Sequence, residues 1–347
     1  MTLHDQLPSA FFRAVPELLD QAFPPEKAAN CANCSMKPSP LGSPCNSRAF
    51  ESPARCCTYK PWLPNFLVGR ILGRNDEGSR RMEWKIASRV GMNVFGVGPS
   101  EPDQKEYERI ADREFGSTRT YVCPFWTGET YSCSIWKDRN AVCRTWHCKH
   151  DHGARSHRAW SALKNLLSHL ERGLAQVCVS DGTPPNLDAP WAEWIAWYRW
   201  CAAHLETLPT ERLQKLRTEA INTGLAQVAE AIAERDRPMP EVLIPNLVSW
   251  PFDGDSVSLN AYSGFDVLEL PRWIFALFSK MDGARPWREA LALAEQETGI
   301  SIGVELVCAL FRQGALSAVD GLRYDPGANM VVRMVNGEPI DPVVVRI

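Results

Sequence analysis

No stretch of the chain approaches eighteen uninterrupted apolar residues, so no membrane-spanning helix is expected. The opening MTLHDQLPSAFFRAVPELLDQ lacks a basic start followed by an apolar run, so no secretory signal is expected. Charge of either sign is scarce in excess: 38 Lys and Arg stand against 41 Asp and Glu, a net of −3. That balance gives no global reason to expect nucleic acid or a membrane surface as partner. H-E-x-x-H, a Ser-His-Asp order, paired carboxylates and an internal repeat are all missing. NVFGVGPS holds Gly96-x-Gly98 without a third glycine or a clear preceding strand, which argues against a nucleotide loop. A cytoplasmic, reducing compartment is therefore expected. There, clustered cysteines mean metal or catalysis more often than disulfides.

What the chain does have is cysteine, unevenly spread. Nine of its 12 cysteines fall between Cys31 and Cys148, as Cys31-x2-Cys34-x10-Cys45-x10-Cys56-Cys57 and then Cys123-x9-Cys133-x9-Cys143-x4-Cys148. Cys178, Cys201 and Cys308 sit alone in apolar, helix-like surroundings and read as small buried residues. Residues 24–57 are rich in Pro, Ser, Asn and Cys and show neither helical nor strand periodicity, so metal ligation is the natural means of ordering them. A C-x2-C turn brings two thiolates to one corner of a site, whereas a vicinal pair points its side chains apart.

Four readings compete for the nine thiols. Disulfides need an oxidising compartment, and inert burial would not cluster them. Structural zinc is an alternative, yet zinc knuckles show two C-x2-C-like pairs per site and only one is present. Iron–sulfur ligation tolerates irregular spacing and uses four thiolates per cluster, so nine thiols would serve one or two clusters, 4Fe–4S in type. His147, beside Cys148, is the best non-cysteine ligand, while His150 and His152 read as a solvated loop. Arg139 and Arg144 flank the thiolates and would offset a cluster's negative charge. Arg80, Arg81, Lys85 and Arg89 read as a solvated helix face.

Cys133-Ser-Ile135-Trp136-Lys-Asp-Arg139-Asn140-Ala-Val-Cys143-Arg144, paired with the earlier C-x2-C and Cys-Cys, resembles the YkgJ-like zinc- or iron-chelating family over roughly residues 28–150. Trp stands where that family has Tyr and Asn where it has Pro. Between Cys34 and Cys56 this chain places 21 residues, more than the family does, with Cys45 among them. The resemblance implies metal binding. The family's cysteine pattern is similar to that of flagellin lysine N-methylases, thought to carry an iron–sulfur cluster.

Beyond the cysteines, helical spacing dominates. Ser100 caps a helix through QKEYERIADREF, and Trp160, Leu163, Leu166, Leu167, Leu170 and Leu174 mark a long amphipathic helix from Ser156. A helix from Ala189–Pro190 carries Trp191, Trp194, Trp197 and Trp200, a stripe best read as core packing. Another runs from Pro209 to about Glu234. From about 252, short strands (VSLNAY, FDVLEL), three helices closed by Asp282-Gly283, Gly299 and Gly314, and a two-stranded ribbon suggest a winged-helix arrangement. This module weakly resembles PqqD-like winged-helix modules through Pro271-Arg-Trp-Ile-Phe, Asp282-Gly283 and Gln313-Gly314-Ala-Leu316. That likeness implies a peptide or protein partner bound by strand addition.

The expected fold is mainly α with irregular cysteine-rich loops. An N-terminal segment (1–24) leads to a metal-stapled domain (25–155), a helical body (156–250) and a small α+β winged-helix-like module (251–347). The expected function is an iron–sulfur redox protein acting toward a peptide or protein partner. The alternative is a non-enzymatic zinc- or iron-binding protein.

Overall fold

Ser100 accepts the amide of Asp103 at 3.2 Å and starts a helix where the sequence predicts one. Its Pro102 sits in the first turn, where an amide has no helical acceptor to lose. The computed structural model describes residues 7–23, 26, 54, 56–116, 118, 121–130, 132–246, 252–253, 255–259, 261–263, 266, 268–319, 321–325, 330–335 and 338–343. These are mainly helical, with small antiparallel sheets. Contacts divide the chain into two units, each discontinuous in sequence. Unit one takes residues 1–25, 50–146 and 162–229, and unit two takes 26–49, 147–161 and 230–347.

Unit one begins with α1 (Ser9–Ala14). Next come β1 (Leu63–Pro64), α2 (Asn65–Leu72), α3 (Glu77–Ala87), β2 (Met92–Asn93), β3 (Gly96–Val97) and α4 (Glu101–Glu114). After these lie β4 (Trp126–Thr127), β5 (Ser132–Cys133), α5 (Ala141–Thr145) and α6 (Gly153–Asp181). α7 (Trp191–Thr207), α8 (Thr210–Gln214) and α9 (Glu219–Asp236) follow. α6 and α9 each contribute residues to both units. The centre of unit one is the packing of α2 on α7. Phe66, Leu67, Ile71 and Leu72 of α2 and Trp194, Tyr198 and Cys201 of α7 are buried. Gly69 permits this approach: a Cβ there would lie 1.9 Å from the Tyr198 carbonyl oxygen. Phe11 of α1 packs its ring against Phe66 at 6.1 Å between centroids.

The tryptophan stripe divides. Trp194 and Trp197 join the core, whereas Trp191 and Trp200 are exposed, with Trp200 stacked between Trp197 and His204. The single helix expected from Pro209 to Glu234 is two: α8 ends at Gln214 and Thr218 starts α9. Both the Thr218 carbonyl and its hydroxyl accept the amide of Ile221. Cys178 and Cys201 are fully buried as expected, with the Cys178 thiol directed at the Cys201 carbonyl at 3.7 Å.

Unit two carries β6 (Leu243–Pro245), a meander of β7 (Phe252–Asp253), β8 (Ser256–Leu259) and β9 (Leu268–Pro271), and helices α10 (Ile274–Lys280), α11 (Trp287–Thr298) and α12 (Val304–Gln313). β10 (Leu316–Ala318), β11 (Gly321–Asp325), β12 (Met330–Val335) and β13 (Glu338–Val343) complete it. Gly299 and Gly314 close α11 and α12 in the left-handed region, as the sequence predicts. The expected two-stranded ribbon differs in detail. β10 leaves it to pair with β6, because Asn246 holds the chain after α12: its side-chain amide donates to the Gly314 carbonyl at 2.9 Å. The ribbon that remains has three strands, β11-β12-β13. Ile274, Leu277, Trp287, Ala290, Val307 and Leu310 form the core of this unit with Leu243 and Leu316. No helix among the described residues is long and apolar enough to cross a membrane.

Candidate metal centre

Cys123 and Cys133 are brought together by a hairpin. β4 pairs antiparallel with β5, placing Trp126 opposite Cys133. The Thr127, Thr130 and Ser132 hydroxyls bond to one another at 2.6–2.9 Å and fix its turn. Beyond it, the Ser134 amide and hydroxyl both donate to the Phe125 carbonyl, at 2.9 and 3.0 Å. The Phe125 and Ile135 backbone amides favour negative charge on the Cys123 and Cys133 sulfurs, respectively.

Cys143 arrives on α5. Asn140 caps this helix by accepting the Cys143 amide at 3.0 Å, and its own amide group donates to the Trp62 carbonyl at 3.0 Å. An Asn directly before AVCR is a legible cap signal.

Cys57 comes from the other cysteine segment. Its carbonyl accepts the Cys123 amide at 2.7 Å, and its neighbour Thr58, fully buried, accepts the Gly116 amide at 2.8 Å. Cys57, Cys123, Cys133 and Cys143 thereby lie near enough for their charges to act on one another.

The electrostatics oppose four thiolates at this spot. Burial pushes Cys123 well above the ordinary thiol range, and charge on Cys143, Cys57 and Cys133 pushes it further against the Phe125 amide. Burial raises Cys133 to about 11, with Cys57 adding and the Ile135 amide, Arg139 and Arg74 opposing. Burial also raises Cys143 to about 12, with Cys133, Cys57 and Glu171 adding and Arg139 opposing. Without a cation these groups are neutral thiols at pH 7. A bound metal would draw off their protons.

Positive charge surrounds the four. Arg139 lies over the Trp136 ring at 3.6 Å and donates to the Cys143 carbonyl at 2.8 Å. Arg74 pairs with the buried Asp138 at 3.1 Å. Lys85 has its pKa lowered by burial and by Lys60, with Asp103 and Cys123 acting the other way. Arg144 is buried and donates to the Lys137 and Arg139 carbonyls at 3.2 and 2.7 Å, so it braces the turn that carries Arg139. Burial pushes Glu171 up to about 8, against the pull of Arg144 and the Ala141 amide. The same carboxyl accepts that amide at 2.7 Å.

Arg74, Tyr59 and Glu171 belong to this neighbourhood although the sequence does not single them out, and Lys85, read from the sequence as part of a solvated face, belongs to it as well. The basic run read as a solvated face also turns inward in part. Arg81 donates to the Pro124 and Trp126 carbonyls at 2.7 and 2.9 Å, and Arg89 to the Leu187 and Ala189 carbonyls at 3.1 and 2.9 Å. The amphipathic pattern of α3 gives its polar face but not the carbonyls that meet it.

Cys56 precedes Cys57 and is half-buried. Cys148 and His147 belong to unit two. There the His147 ring lies 4.7 Å from Trp160 and 5.6 Å from His150. His150, read as solvated, is buried instead, because its ring bonds Glu26 at 3.1 Å. Burial alone would raise Glu26, but the hydrogen bond and charge of His150 hold it well below the usual carboxylate range. His152 is exposed. Cys308, expected to be buried, is only half-buried. Cys31, Cys34 and Cys45 lie outside the described residues.

Among the described residues, no three His, Cys, Asp or Glu side chains gather closely enough to hold a single metal ion. No family model, curated protein or solved structure matches the chain. The YkgJ-like and PqqD-like resemblances therefore rest on their motif residues alone.

Proposed function

We propose that this chain is an iron–sulfur redox protein whose cluster ligands are Cys57, Cys123, Cys133 and Cys143. One observation carries it: the Cys57 carbonyl accepts the Cys123 amide at 2.7 Å, and beside this junction of two distant cysteine segments charge on neighbouring cysteines raises the cost of ionising Cys123, Cys133 and Cys143. Such an arrangement is unfavourable unless a cationic group compensates it. The residues fit a cluster better than zinc. A single zinc bonds sulfur at about 2.3 Å and so needs its thiolates within roughly 4 Å of one another. No such tight group is present among the described residues. A cluster core of several atoms spans a wider gap.

When bound, the cluster would supply one-electron transfer. The chain's own residues set its conditions. The Phe125 and Ile135 amides favour charge on the Cys123 and Cys133 sulfurs, Arg139 and Arg74 offset negative charge at Cys133, and burial of Cys123 limits its contact with water. These are the levers that tune a cluster's potential.

A metal staple across the two cysteine segments is part of the same proposal, as is a winged-helix role for unit two. Among the described residues β11 and β13 are the outer strands of the three-stranded sheet, the edges to which a peptide strand would add. Low-temperature EPR of anaerobically purified protein, before and after dithionite, tests the cluster. A signal that appears or vanishes on reduction supports it, and an EPR-silent, colourless protein in both states refutes it.

A further inference from the structure

Four of the five most exposed large apolar side chains among the described residues lie in unit one, about the end of α3 and the start of α7. They are Leu187, Trp84, Trp191 and Val90, at 75, 71, 52 and 46% exposed. Met82 and Ile86 are the buried face of α3, so Trp84, two residues from each, points outward. Arg89 ties the two places together. It lies just past α3, precedes Val90, and donates to the Leu187 and Ala189 carbonyls at 3.1 and 2.9 Å, shortly before Trp191 opens α7. A second tie joins Arg199 of α7 to Glu83, the neighbour of Trp84, at 3.7 Å.

Opposite charges flank this apolar ground. Arg80, one turn before Trp84, is exposed, and so are Asp188 and Glu193, on either side of Trp191 in sequence. None of these three side chains makes a hydrogen bond or ion pair among the described residues. Positive charge thus stands ready on the α3 side and negative charge on the α7 side. An apolar, aromatic centre with a charged rim has the make-up of a protein interface. With opposite signs at its two ends, such a face complements itself when turned by a twofold axis. A nucleic acid or an anionic membrane would instead meet Asp188 and Glu193 as like charges.

We propose that this face docks a second copy of the chain. Trp84, Val90, Leu187 and Trp191 of each copy cover those of the other, and Arg80 of each copy meets Asp188 and Glu193 of the other. None of these residues belongs to the cysteine centre, so metal content does not bear on the pairing.

Sedimentation velocity of the full chain, from micromolar to hundreds of micromolar, tests it. The mass should rise from that of one chain to that of two. Leu187→Ser and Trp84→Ser should each weaken dimerisation about tenfold or more, the loss expected for uncovering a large apolar side chain. Leu19→Ser, at an exposed apolar residue near the Glu17–Arg217 pair past the C-terminal end of α7, should dimerise like the parent. Charge reversal is the sharper arm. Arg80→Glu alone, and Asp188→Lys with Glu193→Lys, should each dimerise poorly, because like charges then meet at both ends. An equal mixture of the two variants should form a mixed dimer as tight as the parent, because every facing pair is again of opposite sign. Thermal unfolding of each variant shows that it is folded. A chain that stays monomeric throughout overturns the proposal, whatever else it binds. So does a dimer that neither Leu187→Ser nor Trp84→Ser weakens, and so does a mixture no tighter than its separate components.

Discussion

The carbonyl oxygen of Cys57 accepts the amide hydrogen of Cys123 at 2.7 Å, joining two cysteine segments that 65 residues separate. Closing a loop of that length costs entropy that grows only slowly with length. Ligation can contribute on the order of 10 kcal/mol in a small domain. The shared hydrogen bond thus sets the backbone where a shared metal centre would hold it. Cys57→Ser should lose most of its iron, as should Cys123→Ser, Cys133→Ser and Cys143→Ser. Cys178→Ser should lower stability by about 1–3 kcal/mol, because it buries a hydroxyl, yet keep its iron per folded chain. Metal analysis beside a denaturation curve separates the two effects. Equal iron loss at Cys57 and Cys178 would refute the ligand assignment.

Arg139 would act on the proposed cluster through charge. Its guanidinium lowers the cost of negative charge at both Cys133 and Cys143. Arg139→Gln should make the reduced state harder to reach, moving the midpoint potential more negative by on the order of 59 mV, one tenfold step for one electron. A redox titration followed by EPR measures it. An unchanged potential with full iron would show that Arg139 serves only to brace Trp136 and the Cys143 carbonyl.

The α2–α7 contact makes a sharper structural prediction. Gly69→Ala places a Cβ 1.9 Å from the Tyr198 carbonyl oxygen and 2.9 Å from Ala202 Cβ. Backbone cannot yield as a side-chain tip does, so the helices must separate. A loss of roughly 3 kcal/mol or more in urea unfolding is expected. A loss below about 1 kcal/mol would mean that the two helices do not cross at Gly69.

Glu171 gives a pH dependence with a definite sign. Its carboxyl rises from an ordinary 4.5 to about 8, by burial first, so the native chain holds this proton more tightly than the unfolded chain. Its contribution is fully present below about 4.5 and is lost as pH rises through about 8. Melting temperatures should fall between about pH 4.5 and 8 and level off above that. Glu171→Gln, which can still accept the Ala141 amide, should flatten that fall. An identical slope in the variant removes Glu171 as its source.

Much of the helical framework was legible from residue pattern. Ser100 with Pro102 marked α4, and Gly299 and Gly314 marked the ends of α11 and α12. These are local signals. What escaped was set at a distance. Thr218 starts α9, and only its hydrogen bonds with the Ile221 amide reveal that a threonine inside an apparently continuous helix acts as a cap. Asn246 diverts β10 from the ribbon through a bond to Gly314, 68 residues away. The cysteine spacing pointed to a centre but could not choose among nine thiols. Selection of Cys57 depends on Thr58 and Gly116 anchoring the segment beside Cys123. His150 looked solvated because nothing near it in sequence shows that Glu26 meets it.

Iron, acid-labile sulfide and zinc, counted per chain in the full-length protein purified without oxygen, test the central proposal most directly. Iron and sulfide in near-equal amounts, falling together in Cys57→Ser, are the expected result. A fully loaded protein that holds zinc and no sulfide contradicts the four-thiolate cluster.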